Sequence, residues 1–181
     1  MKKAIMLKLA GFLLITALAV PAAVSAQTSK DKKLIIDADE AKAEFIQKDG
    51  LLKNLFANSY GYVIFPNVGK GAIGVGGAAG NGIVYQGGSM IGKAKMKQVS
   101  VGFQFGGQAY REVIFFENEA ALNRFKQDKF EFAAQASAVA VTAGASANVK
   151  YKDGVLVFTQ QKGGLMYEAS IGGQKFDYTP F

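Results

Sequence analysis

The side chains that most often carry out catalysis are few in this chain. Its 181 residues include no histidine and no cysteine, so the usual general base near neutral pH, the usual transition-metal ligands and the thiol nucleophile are missing. Three carboxylates, Glu112, Glu117 and Glu119, lie close together in sequence. They are predicted to flank a strand end and a helix N-terminus, where acidic residues complement the helix dipole. We therefore predict a protein that is not an enzyme and that holds neither a metal nor another cofactor.

The glycine-rich segment contains patterns that resemble nucleotide-binding motifs. Gly69, Gly71 and Gly74 spell G-x-G-x-x-G after an apolar stretch. A dinucleotide site needs a helix next and an acidic residue about 20 positions later. The glycines that follow disfavour a helix by about 1 kcal/mol each, and after the motif the first acidic residue is Glu112, nearly 40 positions beyond Gly74. The two Gly-Lys pairs of this segment also lack the following Ser or Thr of a P-loop. No nucleotide site is predicted.

Positive charge is concentrated in one third of the chain. Between Gly50 and Arg111 there are six cations and no carboxylate, whereas residues 27–49 and 112–181 carry near-equal numbers of both. Such a segment favours anionic partners such as phospholipid headgroups, polyanionic glycan or nucleic acid. The alternative is a solvated surface whose acids lie elsewhere. The candidate lipid-binding residues are the six cations themselves: Lys53, Lys70, Lys93, Lys95, Lys97 and Arg111.

Three of these lysines, Lys93, Lys95 and Lys97, alternate with Ala94 and Met96. On an extended strand, alternate side chains project from the same face. Three ammonium groups a few ångströms apart repel one another, and no carboxylate near them in sequence relieves the repulsion. A flat anionic surface is therefore the expected counterpart.

The N-terminal segment has the layout of a secretory signal peptide. Three lysines precede an apolar stretch over residues 9–20, and small residues follow at positions 24–26. The apolar stretch has about a dozen residues, fewer than the roughly 20 of a membrane-spanning helix. We expect cleavage of residues 1–26 and a periplasmic or secreted protein, attached at most peripherally to a membrane. Residues 27–34 are predicted to be a polar lead, and residues 35–181 a single domain.

Helices and short strands are predicted to alternate along that domain. Asp37 and Glu40 form a capping-box pattern at the start of a helix that Asp49-Gly50 should end. Two more helices are predicted at residues 51–58 and 118–128. Strands are predicted at residues 62–65, 99–105, 110–116, 154–160, 165–171 and 175–178, with glycine-rich turns between several of them. This order indicates an α+β domain with an antiparallel, strongly curved or barrel-like sheet and a few covering helices.

The order and spacing of these motifs resemble the SYLF domain over residues 35–178. The resemblance rests on Pro66 with Lys70-Gly71, the glycine-studded residues 72–85, the segment 100–116, the helix with Ala121-Leu122, and the strand pair that contains Lys162-Gly163-Gly164-Leu165. It implies lipid binding, since eukaryotic members bind phosphoinositides and act in membrane remodelling and actin organisation. Bacterial members are exported single domains.

Two segments depart from the family pattern. Residues 90–97 replace a tryptophan-serine-proline segment, and residues 142–145 replace a glycine-proline loop. Phosphoinositides and actin are absent from a bacterial periplasm, so those two ligands are not transferred to this chain.

Two hypotheses from different classes remain open. The first is a non-enzymatic module of the bacterial cell envelope that binds anionic phospholipid, or a membrane surface, through the basic segment. The alternative is a structural or adaptor protein of the envelope whose glycine-rich sheet face docks a protein partner. A lipid carrier with an internal cavity is a third possibility. No nucleic-acid partner is predicted.

Overall fold

A computed structural model describes residues 21–73, 75–99, 109–127, 130–132, 137–162 and 169–181. The helices are α1 (Pro21–Lys48), α2 (Leu52–Asn58) and α3 (Glu119–Lys126). The strands are β1 (Gly61–Ile73), β2 (Val75–Gln86), β3 (Ser89–Val99), β4 (Ala109–Phe116), β5 (Ser137–Ala140), β6 (Val155–Gln161), β7 (Ala169–Ser170) and β8 (Gln174–Pro180).

The first helix is longer than the sequence pattern predicted. The predicted start at Asp37 is wrong, because Asp37 lies inside α1, as do residues 27–34 of the predicted polar lead. Asp37 instead forms an ion pair with Lys33 one turn earlier, at 2.9 Å, which supports a helix interior. No proline or glycine interrupts residues 22–48. Nothing therefore ends the helix at the capping pattern.

The predicted end of α1 at Asp49-Gly50 is confirmed, and Asp49 has a second role there. Its carboxylate, 2 % exposed, accepts hydrogen bonds from the Ser146 N–H at 2.8 Å, the Ser146 hydroxyl at 2.7 Å and the Leu51 N–H at 3.1 Å. Burial by itself would raise the pKa of the Asp49 carboxyl. These bonds, with one from Gly144, outweigh burial and hold that pKa below its usual value.

Asp49→Asn is expected to destabilise the protein by about 1.5–3 kcal/mol at pH 7, because it replaces charge-assisted hydrogen bonds in a buried site. Since the folded-state pKa is depressed, this stability is present above the unfolded-state pKa of about 3.9 and is lost as pH falls through the folded-state pKa. Urea unfolding at pH 7 and near pH 3 should therefore show the gap between parent and variant closing in acid. A gap of equal size at both pH values would contradict this role.

The sheet is mixed and open in the described residues. Its order is β7-β5-β6-β4-β1-β2-β3-β8. All neighbouring pairs are antiparallel except β5 and β6, which run parallel. The connection over residues 141–154 makes this possible, since parallel neighbours need a crossover of about a dozen residues or more. The predicted all-antiparallel arrangement is wrong at this pair, and the barrel-like closure is not formed.

Strong curvature is nevertheless present, as contacts between distant strands show. Gln174 on β8 donates a hydrogen bond to the Glu112 carboxylate on β4 at 3.0 Å. These strands stand four positions apart in the sheet order, which would separate them by about 19 Å in a flat sheet. The short turn between β7 and β8 also joins the two outermost strands, with the Gln174 N–H donating to the Ile171 carbonyl at 3.2 Å. The sheet therefore curls until its ends approach each other.

Each face of the curved sheet is covered by different helices. The concave face carries an aromatic core with Phe65, Phe116 and Phe176, against which α3 packs Leu122 and Phe125. The convex face is covered by α1 and α2, whose buried residues are Ala38, Ala41, Phe45, Leu52 and Phe56. The prediction that the first two helices pack on a sheet is confirmed.

Most of the predicted strands are found, but no strand bounds were predicted for the segment that forms β2 and most of β3. Strands β1, β4, β6 and β8 confirm the predictions at 62–65, 110–116, 154–160 and 175–178. Strand β3 was not predicted as a whole, because glycine and lysine are both depleted in strands. The predicted strand at 99–105 lies, beyond its first residue, outside the described residues, as does most of the one at 165–171.

The three carboxylates singled out in the sequence occupy different environments. Glu119 lies in the first turn of α3, which Asn118 caps through a hydrogen bond from the Ala121 N–H at 3.0 Å, so its predicted dipole role is confirmed. Glu112 was wrongly placed at a strand end. It is fully buried in the concave core beside Tyr110 and Gln174. Burial and the Glu112 carboxylate both raise the pKa of the Tyr110 hydroxyl, which keeps the phenol protonated.

Candidate anion-binding groove

A groove of about 610 Å³ lies on the convex side of the sheet, between the N-terminal half of α1 and strands β3 and β8. α1 forms one wall because its buried apolar residues begin at Ala38, farther along the helix, which leaves the charged residues of the segment 30–37 beside the lysine-bearing strand. The charged residues that line the groove are Lys30, Asp31, Lys33, Asp37, Lys93, Lys95 and Asp177. Four lysines against three aspartates give the lining a net charge of +1.

The predicted single face of Lys93, Lys95 and Lys97 is confirmed by β3. Ala94 and Met96 are buried in the concave core, so the alternating lysines point to the convex side. Successive lysines are therefore about 7 Å apart along the strand. We call these three residues the lysine row.

The fold supplies the lysine row with carboxylates that are distant in sequence. Lys93 Nζ lies 2.8 Å from the Asp31 carboxylate on α1, and Lys97 Nζ lies 3.3 Å from the Asp177 carboxylate on β8. Lys95 stands opposite Asp177 in the strand register. Within the described part of the chain, neither Lys95 nor Lys30 forms an ion pair. These two ammonium groups are the ones left for a bound anion.

The other candidate cations lie elsewhere. Arg111 on β4 is 14 % exposed and lies 2.6 Å from the Glu44 carboxylate on α1. Lys53 is exposed on α2. Lys70 is opposite Ala78 in the pairing of β1 with β2. The structure therefore groups Lys93, Lys95 and Lys97 and does not place Lys53 or Arg111 with them.

Lys30 and Lys33 were missed at the sequence level. Their spacing of three residues would place them on one side of a helix, but residues 27–34 were predicted to lie outside any helix. Only the extension of α1 across this segment brings them to the groove.

A second polar network lies beside the groove. Lys162 donates a hydrogen bond to the Asn67 side-chain oxygen, and the Asn67 amide donates to the Asp37 carboxylate at 3.5 Å. Burial and the neighbouring Arg111 lower the pKa of Lys162. The Asp37 carboxylate thus contacts the Lys33 ammonium group and the Asn67 amide, which compensate part of its negative charge.

Metal chemistry and membrane spanning find no support in the part of the chain that the structure describes. It contains no group of three or more carboxylates arranged to hold a metal ion. None of its helices combines the length and the apolar character needed to cross a membrane.

Comparison with known proteins gives two matches. Residues 97–178 match the Ysc84 family, described as a Las17-binding protein actin regulator, and this confirms the resemblance to the SYLF domain. The chain is also 28 % identical over 155 residues to beta cell expansion factor A of Aeromonas veronii. That alignment covers 83 % of this chain and 58 % of the relative, so the chain spans little more than half of that protein. Lys97 begins the family match, and Lys93 and Lys95 precede it.

Proposed function

We propose that the protein is a non-enzymatic lipid-binding module that recognises anionic phospholipid through the groove, on the premise that residues 97–178 match the Ysc84 (SYLF) family. The observation that carries the proposal is the lysine row on the convex face of β3, with Lys95 and Lys30 unpaired among the described residues at the groove. A lysine near an anionic bilayer contributes about 1 kcal/mol of binding free energy.

The proposed location is the bacterial cell envelope. The signal-peptide pattern of residues 1–26 supports export. Cleavage after Ala26 would leave α1 from Gln27 onward, and both Lys30 and Asp31 would remain at the groove. The mature protein would thus keep the whole site.

Vesicle flotation tests this proposal. The exported protein is expected to float with phosphatidylglycerol vesicles at 0.1 M salt and to stay behind with phosphatidylcholine vesicles. At 1 M salt it should be released, because the Debye length falls from about 10 Å to about 3 Å. Equal flotation with both lipids, or none with phosphatidylglycerol, would rule out recognition of anionic lipid.

A protein-docking adaptor is the second candidate. The family description names a binding partner that is a protein, Las17, and the groove contains three aspartates as well as four lysines. A mixed lining of this kind also suits a polar protein surface. Failure to float with anionic vesicles, combined with salt-sensitive capture of one envelope protein that the Lys95→Glu change abolishes, would favour the adaptor.

A further inference from the structure

Two large apolar side chains are exposed beside the lysine row. Met90 is 46 % exposed and Phe181 is 61 % exposed. The other exposed large apolar residues in the described segments are Ile36 on α1 and Leu51 before α2. Met90 lies at the start of β3, and Phe181 follows β8, the strand that pairs with β3. We call these two residues the apolar pair.

Backbone pairing fixes the corner formed by these two strands. The Phe181 N–H donates to the Ile91 carbonyl at 3.3 Å, and the Tyr178 hydroxyl donates to the same carbonyl at 2.8 Å. Gly92 permits the close approach of β8, since a β-carbon there would lie 2.5 Å from the Thr179 carbonyl oxygen. The backbone that carries the apolar pair is therefore held in place before any partner arrives, which lowers the entropy cost of binding.

The apolar pair shares a face with the lysine row. Met90 is opposite Tyr85 in the register, and Tyr85 packs on the convex side of the sheet. The Phe181 ring centroid lies 5.9 Å from Lys93 Nζ, which also points to the convex side. A single surface therefore presents two apolar tips next to three cations.

We propose that Met90 and Phe181 insert into the lipid layer while the lysine row contacts the phosphates, so that the corner formed by β3 and β8 faces the bilayer. This inference rests on the proposed lipid-binding function. Apolar side chains that enter the boundary between headgroups and acyl chains add to the electrostatic attraction of nearby lysines. A second copy of the chain is a poorer occupant, because a two-fold interface would bring the two lysine rows against each other.

Tryptophan reporters test the inserted position. The chain contains no tryptophan, so Phe181→Trp introduces a single reporter at the apolar pair, and Leu51→Trp is the matched control at a similarly accessible site elsewhere. With phosphatidylglycerol vesicles containing brominated acyl chains, the emission of the Phe181→Trp variant should shift to the blue and be quenched. The emission of the Leu51→Trp variant should not change. Vesicle-bound Phe181→Trp protein whose emission stays as in water would overturn the inference and leave the proposed function standing.

A double variant gives a second measurement. Met90→Ser with Phe181→Ser removes both apolar tips and keeps every lysine, so binding to phosphatidylglycerol vesicles should weaken about tenfold or more while its salt dependence stays the same. Unchanged affinity of a folded double variant would overturn the inference. Failure of the parent protein to bind these vesicles would instead remove the proposed function, and the inference with it.

Discussion

Simultaneous replacement of the lysine row by serine is expected to weaken binding to phosphatidylglycerol vesicles by about a hundredfold. Three lysines at about 1 kcal/mol each give this factor. The triple variant (Lys93→Ser, Lys95→Ser and Lys97→Ser) should stay folded, since all three side chains point away from the concave core. Its residual binding should also lose most of the salt dependence of the parent. Flotation or a titration at 0.1 M and 1 M salt measures both effects.

The ion pairs of the lysine row determine how much of the lost affinity each of the three lysines accounts for. Removing Lys93 takes one cation away from the Asp31 carboxylate, and removing Lys97 takes one away from that of Asp177. The negative charge of these two carboxylates is then compensated less and would repel the bilayer more strongly. Lys95→Ser breaks no ion pair among the described residues, so this single change isolates the direct attraction and should cost about fivefold in affinity.

A second triple variant, which removes three lysines elsewhere, distinguishes the effect of the lysine row from the effect of net charge. Lys48, Lys150 and Lys152 are exposed. Lys48 ends α1, and the other two precede β6, four strand positions from β3. Their triple replacement by serine changes the net charge by the same three units and should leave vesicle binding nearly intact. Equal losses in both triple variants would mean that only net charge matters, whereas full binding by the lysine-row variant would move the site toward Lys70 and α2.

Phe176→Ala is expected to cost about 3–5 kcal/mol of folding free energy, the usual range for deleting a buried phenylalanine side chain. Phe176 lies at the centre of the concave aromatic core. Its ring centroid is 5.1 Å from that of Phe125, 5.8 Å from that of Phe65 and 5.9 Å from that of Phe132. Loss of the ring would leave a cavity between α3 and β8, the strand that carries Asp177. For a domain of this size the midpoint of thermal unfolding should fall by roughly 6–20 °C.

Phe181→Ala is the matched control for that change. It removes the same side chain from the residue that follows β8, where the ring is mostly exposed. Its effect on stability should stay within about 0.5 kcal/mol. If both alanine variants unfold at the same temperature as the parent, the concave aromatic core does not anchor β8 as described.

Local patterns predicted the elements whose stability is local. The end of α1, the helices α2 and α3, and the apolar strands β4 and β6 follow from caps, glycine turns and alternation. The parallel pairing of β5 with β6 and the curl of the sheet depend instead on contacts such as Glu112 with Gln174, which join strands that no periodicity links. Glu112 was misplaced for the same reason, since its burial becomes visible only once β8 lies across from β4.

The candidate site was predictable in part. The alternation of Lys93, Lys95 and Lys97 fixed their shared face, because the side-chain period of a strand is two residues. The ion pairs of Lys93 and Lys97 could not be foreseen, since Asp31 and Asp177 are far from these lysines in sequence. Lys30 and Asp31 reach the groove because α1 runs without a break through residues 27–36. No single residue in that segment indicates that the helix continues.

The connection of the two outermost strands has a consequence for the order of folding. Lys95 and Asp177 face each other although they lie far apart in sequence, whereas β1, β2 and β3 are joined as successive neighbours. Local hairpins close rapidly, while pairings of such long range form late and slow the overall rate. Strand β8 is thus expected to join last. The groove and the apolar corner would then be completed only in this final step, so a chain that has not finished folding would carry neither of them assembled.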